Sequence, residues 1–187
     1  MKRVARPITP TYLQNAATFY LERYASSAEG LRRVLRRRVR KAEMLNAPVM
    51  DNVEQAIEAV VRKFVTAGLL DDKAFAQTKA HSLHRRGASN RLTRQRLQAA
   101  GVDQDTVDRA MASLDDELGA DPASRELKAA AAFARRRRLG PYRTKDREPN
   151  RLRDLAALAR AGFAYDLARK VIDAADPDAL AGTLDEA

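Results

Sequence analysis

Gly68-Leu69-Leu70-Asp71-Asp72-Lys73-Ala74-Phe75-Ala76 reads as a corner between two helices. Gly68 can take the left-handed backbone that closes the helix before it. Asp71 can cap the helix after it by accepting free N–H groups. Leu70 sits just before that cap and Phe75 four residues after it, the spacing of a hydrophobic staple. Upstream, Val53, Ile57, Val60, Val61, Phe64 and Val65 recur on one helical face. An amphipathic helix therefore runs into a specified corner, and a second helix leaves it.

Working outward, the same punctuation recurs. Thr9-Pro10 is a cap followed by Pro at the first helical position, with Ile8 and Leu13 as a staple pair. Leu13, Ala16, Ala17, Tyr20, Leu21 and Tyr24 form the expected buried stripe of the first helix. Ser26 with Glu29, and Asp51 with Glu54, have capping-box spacing for the second and third helices. The second helix sets Leu31, Val34, Leu35 and Val39 against a crowd of arginines, and Ala47-Pro48 breaks it. The fourth helix runs from Asp72 to Arg86 and stops at Gly87. Ser89 caps the fifth, which Gly101 closes. Asp103 caps the sixth, with Val102 and Val107 as its staple and a stripe ending at Leu118. Asp121-Pro122 opens the seventh, which ends in Arg135-Arg136-Arg137-Arg138. After a polar loop to Pro149 come an eighth helix (150–161) and a ninth (164–175).

The chain repeats itself. Leu97-x3-Gly101-Val102 aligns with Leu158-x3-Gly162-Phe163, and Val107, Ala110 and Met111 fall where Ala168, Val171 and Ile172 fall. The expected fold is all-α: three tandem three-helix-bundle repeats, helix-turn-helix-like units stacked into an elongated, curved molecule. The expected partition is a basic arm (1–8), repeats at 9–70, 71–118 and 121–175, and a flexible acidic tail (176–187). One compact nine-helix globule is the second reading.

The 187 residues hold 35 Lys plus Arg against 25 Asp plus Glu, a net charge of +10. So basic a chain meets something acidic: nucleic acid, an acidic protein groove or a membrane surface. There is no cysteine, hence no disulfide or thiol chemistry. No apolar run reaches the roughly 18 residues of a membrane span, and the N-terminus lacks the apolar core of a signal peptide. A cytoplasmic chain is expected.

Catalytic signals are poor. His81 and His84 lie i, i+3 but lack the further ligands zinc wants, and read as solvated polar positions. Asp71-Asp72 are adjacent and cannot face each other across a substrate, whereas a cap accounts for Asp71. The eight glycines are scattered and make no phosphate loop. No catalytic residue, metal or cofactor is expected, so the chain reads as a non-enzyme.

The basic helices are the informative feature. Seven of the ten residues from 32 to 41 are cationic. Candidate contacts to a partner, chosen by charge, are Arg32, Arg33, Arg36, Arg37, Arg40, Arg91, Arg94, Arg135, Arg136, Arg137, Arg138 and Arg151. The bland alternative is a set of solvated faces, with 135–138 complementing a helix dipole. Repetition of the excess in each unit favours a discontinuous basic strip suited to an acidic groove or a phosphate backbone. The scarcity of aromatics speaks against base stacking.

The corner at 68–76, together with Arg-Leu-Gln-Ala-Ala-Gly-Val (96–102) and Arg-Ala-Gly-Phe-Ala-Tyr-Asp (160–166), resembles the RecX family. The resemblance runs from about Thr11 to Ala175. It implies three tandem three-helix repeats, in agreement with the reading above. It also implies a non-catalytic, monomeric protein that binds the recombinase RecA, alone or in the groove of the RecA–DNA filament, and inhibits ATP hydrolysis, strand exchange and repressor cleavage. Single- or double-stranded DNA is a further partner through the basic face. Gly68, Leu70, Asp71, Asp72, Phe75, Gly101, Gly162 and Phe163 are the structural positions of the pattern. Two departures stand out. Ala164 occupies a capping position often held by Ser, and the second helix is longer and richer in arginine. A helix-turn-helix regulator reading duplex DNA is the alternative function.

Overall fold

A computed structural model describes residues 6–118 and 121–185. Among them are ten α-helices: α1 (Pro10–Leu21), α2 (Ala28–Met44), α3 (Val53–Thr66), α4 (Asp72–Arg85), α5 (Asn90–Ala99), α6 (Gln104–Leu118), α7 (Pro122–Arg137), α8 (Arg147–Arg160), α9 (Tyr165–Ile172) and α10 (Pro177–Asp185). A single 3-10 turn, Gly140–Tyr142, lies between α7 and α8. The all-α expectation holds. By packing, the chain divides into two units, one holding residues up to Phe75 with Ala99–Asp103, the other Ala76–Gln98 with the residues from Gln104 onward. This division cuts across the repeat boundaries of the sequence.

In the first unit, α3 packs against both α1 and α2. Leu13, Leu31, Leu35, Ile57, Val61 and Phe64 form its core, with Ile8 and Leu70 at the edges. Each such side chain, fully buried, stabilises by about 1.5–3 kcal/mol. The corner behaves as its sequence dictates. Gly68 has φ +70 with open space about its missing Cβ. Asp71 Oδ1 accepts from the N–H groups of Lys73 and Ala74 at 2.9 and 3.0 Å.

Several local readings are corrected. Ser27, not Ser26, caps α2. Asn52, not Asp51, stands at the head of α3 and makes no side-chain cap bond. α1 ends at Leu21, which leaves Tyr24 58% exposed. Ile8, counted in the basic arm, is buried and donates its N–H to the Pro48 carbonyl at 2.9 Å; residues 1–5 of that arm lie outside the described residues. α8 begins at Arg147, before Pro149, because the first turn of a helix needs no intrahelical N–H from its residues.

The second unit centres on α9, packed on α7 and α8 around Leu127, Leu155, Leu158, Phe163, Val171 and Ile172. Where a flexible tail was expected, α10 packs against α7 with Leu180 fully buried. Asp176 Oδ1 accepts from the Ala179 N–H at 2.8 Å, as a cap does. The buried Asp154 carboxylate takes two bonds from Arg143, at 2.7 and 2.8 Å, and one from the Gly140 N–H at 2.9 Å. It thereby ties the 3-10 turn to α8.

One joint occurs twice, once in each unit. Ser27 Oγ accepts from the Gly30 N–H within α2 and donates to the Ala100 carbonyl, beside Gly101. Ser89 Oγ accepts from the Leu92 N–H within α5 and donates to the Ala161 carbonyl at 2.7 Å, beside Gly162. The neighbouring N–H is satisfied alike: Ala28 by Asp72 at 2.7 Å, Asn90 by Glu126 at 2.9 Å. In each unit a helix N-terminus thus receives the Gly corner of a later repeat. A Cβ on Gly101 would lie 2.3 Å from Glu29 Cβ, and one on Gly162 would lie 2.6 Å from Ser89 Oγ.

Candidate functional site: the arginine faces

The apolar stripe of α2 is buried, so its arginines are driven outward together. They then divide into two sets. Arg32 Nε lies 2.8 Å from Glu58, Arg36 Nε 2.9 Å from Glu54, and Arg33 Nε 3.1 Å from Glu29. The hydrogen bond between them raises Arg32 above its ordinary pKa and lowers that of Glu58, so both stay charged. Arg33 also donates to the Ala99 carbonyl at 2.6 Å. These three hold α2 in place. Arg37 and Arg40 are exposed and have no carboxylate partner among the described residues. They border a shallow groove with Tyr20, Gly30 and Val34.

The remaining sequence candidates divide in the same way. Arg94 pairs with Asp108. Arg151 makes two 2.7 Å bonds to Asp173, which lower the Asp173 pKa. Arg91 is exposed at the head of α5. Arg135, Arg136, Arg137 and Arg138 are exposed at the end of α7, with no carboxylate partner among the described residues. Arg138 terminates that helix at φ +54.

Charge counting missed a second set. Arg86, Arg96 and Arg160 join Arg136 and Arg137 around one groove of the second unit, whose apolar lining includes Leu83, Leu92, Phe133 and Ala157. Gly87, beside Arg86, has φ +66. A Cβ there would lie 2.9 Å from the Ala129 carbonyl oxygen and from the Phe133 nitrogen. Gly87 itself therefore lies close against the backbone of α7.

The histidines are not simply solvated. His81 Nε2 lies 2.9 Å from Glu117 Oε2. Burial, then the nearby Arg125 and His81, holds His84 below the usual histidine pKa and so neutral at pH 7. Among the described residues, no group of three or more His, Asp or Glu could hold a metal ion, and no helix is long and apolar enough to cross a membrane.

Residues 71–111 match the family model for the second three-helix domain of RecX. The chain is 45% identical over 170 residues to the regulatory protein RecX of Myxococcus xanthus (strain DK1622), covering 90% of this chain and 88% of that one. The chain belongs to the RecX family. RecX proteins of Agrobacterium fabrum (29% identity over 90% of this chain and 88% of that one) and Thermobifida fusca (38% over 65% and 64%) are also similar. The fold is that of a RecX crystal structure from Lactobacillus salivarius, with TM-score 0.58, 18% identity, and coverage of 95% of this chain and 97% of that one. For a RecX family member, a regulatory role and the all-helical repeat architecture follow directly.

Proposed function

We propose that this chain is a non-enzymatic, cytoplasmic regulator of DNA repair and recombination. It binds RecA, as monomer or in the groove of the RecA–DNA filament, and lowers its ATPase, strand-exchange and coprotease activities. Membership of the RecX family, at 45% identity over 90% of the chain, carries this reading. The arginines left without carboxylate partners support it, since they offer Coulombic contacts to an acidic groove or to phosphates. Arg37, Arg40, Arg91 and Arg135–Arg138 are the proposed contacts. Arg32, Arg33, Arg36, Arg94 and Arg151 contribute through the geometry of their helices.

The test is the single-stranded-DNA-dependent ATPase of RecA with increasing amounts of this protein. Turnover is expected to fall at substoichiometric protein, and the protein alone to hydrolyse nothing. Unchanged RecA turnover over a wide concentration range, with tight binding to one particular duplex sequence, would give the chain to the helix-turn-helix regulators instead.

A further inference from the structure

The groove framed by Arg86, Arg96, Arg136, Arg137 and Arg160 has no acidic residue in its lining. Elsewhere several arginines pair with carboxylates, as at Arg32, Arg36, Arg143 and Arg151. Here Arg86, Arg96, Arg137 and Arg160 find none among the described residues, and Arg136 donates only to the neutral carbonyl of Arg86. Helix dipoles do not balance the set. All five lie at or near the C-terminal ends of α4, α5, α7 and α8. Four C-termini supply roughly −2 in total, against five full positive charges. A surplus of about three charges remains around a depression lined by apolar side chains.

The lining selects among acidic partners. Leu83, Leu92, Phe133 and Ala157 offer dispersion contact and no hydrogen-bond donor. A phosphate would be held by the arginines at the rim and would leave this apolar floor unfilled. A nucleobase needs an open aromatic face, and Phe133 is the one aromatic ring in the lining. Phe133 stands at 62° to Phe163 with ring centroids 5.9 Å apart, and the guanidinium carbons of Arg136 and Arg137 lie 5.7 and 5.5 Å from its centroid. The arginine forks suit a carboxylate as well as a phosphate, and an aliphatic side chain carried beside carboxylates also fills the apolar depression.

We propose that this groove binds an acidic peptide segment that inserts one apolar side chain between Leu83, Leu92 and Phe133 while its carboxylates pair with Arg86, Arg96 and Arg160. The proposal deepens the regulatory reading by placing such a segment on the regulated protein. Its test uses isolated peptides and the full chain, so it can fail while the ATPase result stands, and the reverse.

The probe is a fluorescein-labelled 12-residue peptide of Asp and Glu around one central Leu, followed by anisotropy. Saturable binding is expected, weakened at least tenfold when the central Leu becomes Ala. The triple variant Arg86→Gln, Arg96→Gln, Arg160→Gln should weaken it at least tenfold, with unchanged circular dichroism. Arg37→Gln with Arg40→Gln, in the first unit, should leave it unchanged. Should the triple variant misfold, the single Arg96→Glu is expected to weaken binding while keeping the helical signal. No saturable binding, equal binding of the Leu and Ala peptides, or equal loss in the Arg37/Arg40 variant would overturn the proposal. A 12-nucleotide oligo-dT that displaces the peptide and binds more tightly than it, and that is itself lost in the triple variant, would overturn it in favour of nucleic acid.

Discussion

Glycines with the same backbone sign do different jobs here, and substitution separates them. Gly68 needs only its left-handed φ, since nothing lies within 4 Å of the missing Cβ. Gly68→Ala is expected to cost about 1 kcal/mol in urea unfolding. Gly101 has φ +84, and a Cβ added there would also lie 2.3 Å from Glu29 Cβ. Gly101→Ala must therefore strain the backbone and displace the head of α2, at roughly 3 kcal/mol. Equal costs for the two variants would mean that the Gly101 corner does not dock as described. Asp154 gives a pH-dependent counterpart. Its burial favours the neutral acid, but the Arg143 guanidinium and the Gly140 N–H outweigh this and hold its pKa below the usual aspartate value. A carboxylate lowered in the folded state stabilises above its unfolded pKa, near 3.9, and that stabilisation is lost as pH falls. Asp154→Asn is thus expected to cost about 2–3 kcal/mol at pH 7. The gap to the parent should narrow below about pH 4, measured as denaturation midpoints across pH. A gap that stays constant down to pH 3 would show that the carboxylate is not the group being stabilised.

At the scale of helices, periodicity exposed the buried stripes and the corners, because both depend on local geometry. The stripe of α2 and the caps at Thr9, Asp71, Ser89 and Asp121 stand where the sequence places them, whereas Val65 of the α3 stripe and Leu118 at the end of α6 are 48% and 43% exposed. Ser26-Ser27 and Asp51-Asn52 each offer two adjacent polar candidates for one cap, and spacing alone chose wrongly both times. At the first, the Ser27 hydroxyl reaches the Ala100 carbonyl, a partner 73 residues away that no local rule contains. The same limit applies to charge. All the arginines of α2 look alike in the sequence, and only the position of α3 gives Arg32 and Arg36 their carboxylates. Arg32→Gln with Arg36→Gln is expected to cost about 0.5–1 kcal/mol, the size of partly exposed ion pairs. It should leave the salt dependence of the proposed RecA-filament binding nearly unchanged. Arg37→Gln with Arg40→Gln should leave stability within about 0.5 kcal/mol. It should also flatten the slope of log binding constant against log salt by roughly two units, if both touch phosphate. Matching salt slopes for the two double variants would remove Arg37 and Arg40 from the interface.

For the molecule as a whole, the internal repeat and the all-helical class were legible because both are written in residue spacing. The arginine groove was not, since Arg96 and Arg160 lie in two helices and Arg86 in the turn after a third, and only packing brings them to one place. The C-terminal segment was misread for a related reason. Residues 176–187 are small and acidic, and composition alone describes a solvated tail. Yet Asp176-Pro177 repeats the cap-then-Pro signature of Asp121-Pro122, and one residue, Leu180, carries the burial. Because Leu180 is fully buried in the cluster built by Leu127, Leu158 and Ile172, its removal leaves a cavity as well as lost contacts. Leu180→Ala is expected to cost about 2–4 kcal/mol. Leu152→Ala, at a leucine 75% exposed on α8, should change stability by no more than about 0.5 kcal/mol. Truncation after Asp176 removes Leu180 together with the partly buried Leu184, and should lower the melting temperature at least as far as Leu180→Ala does. A truncated chain that melts with the parent would restore the solvated-tail reading, and α10 would then have no part in holding the second unit together.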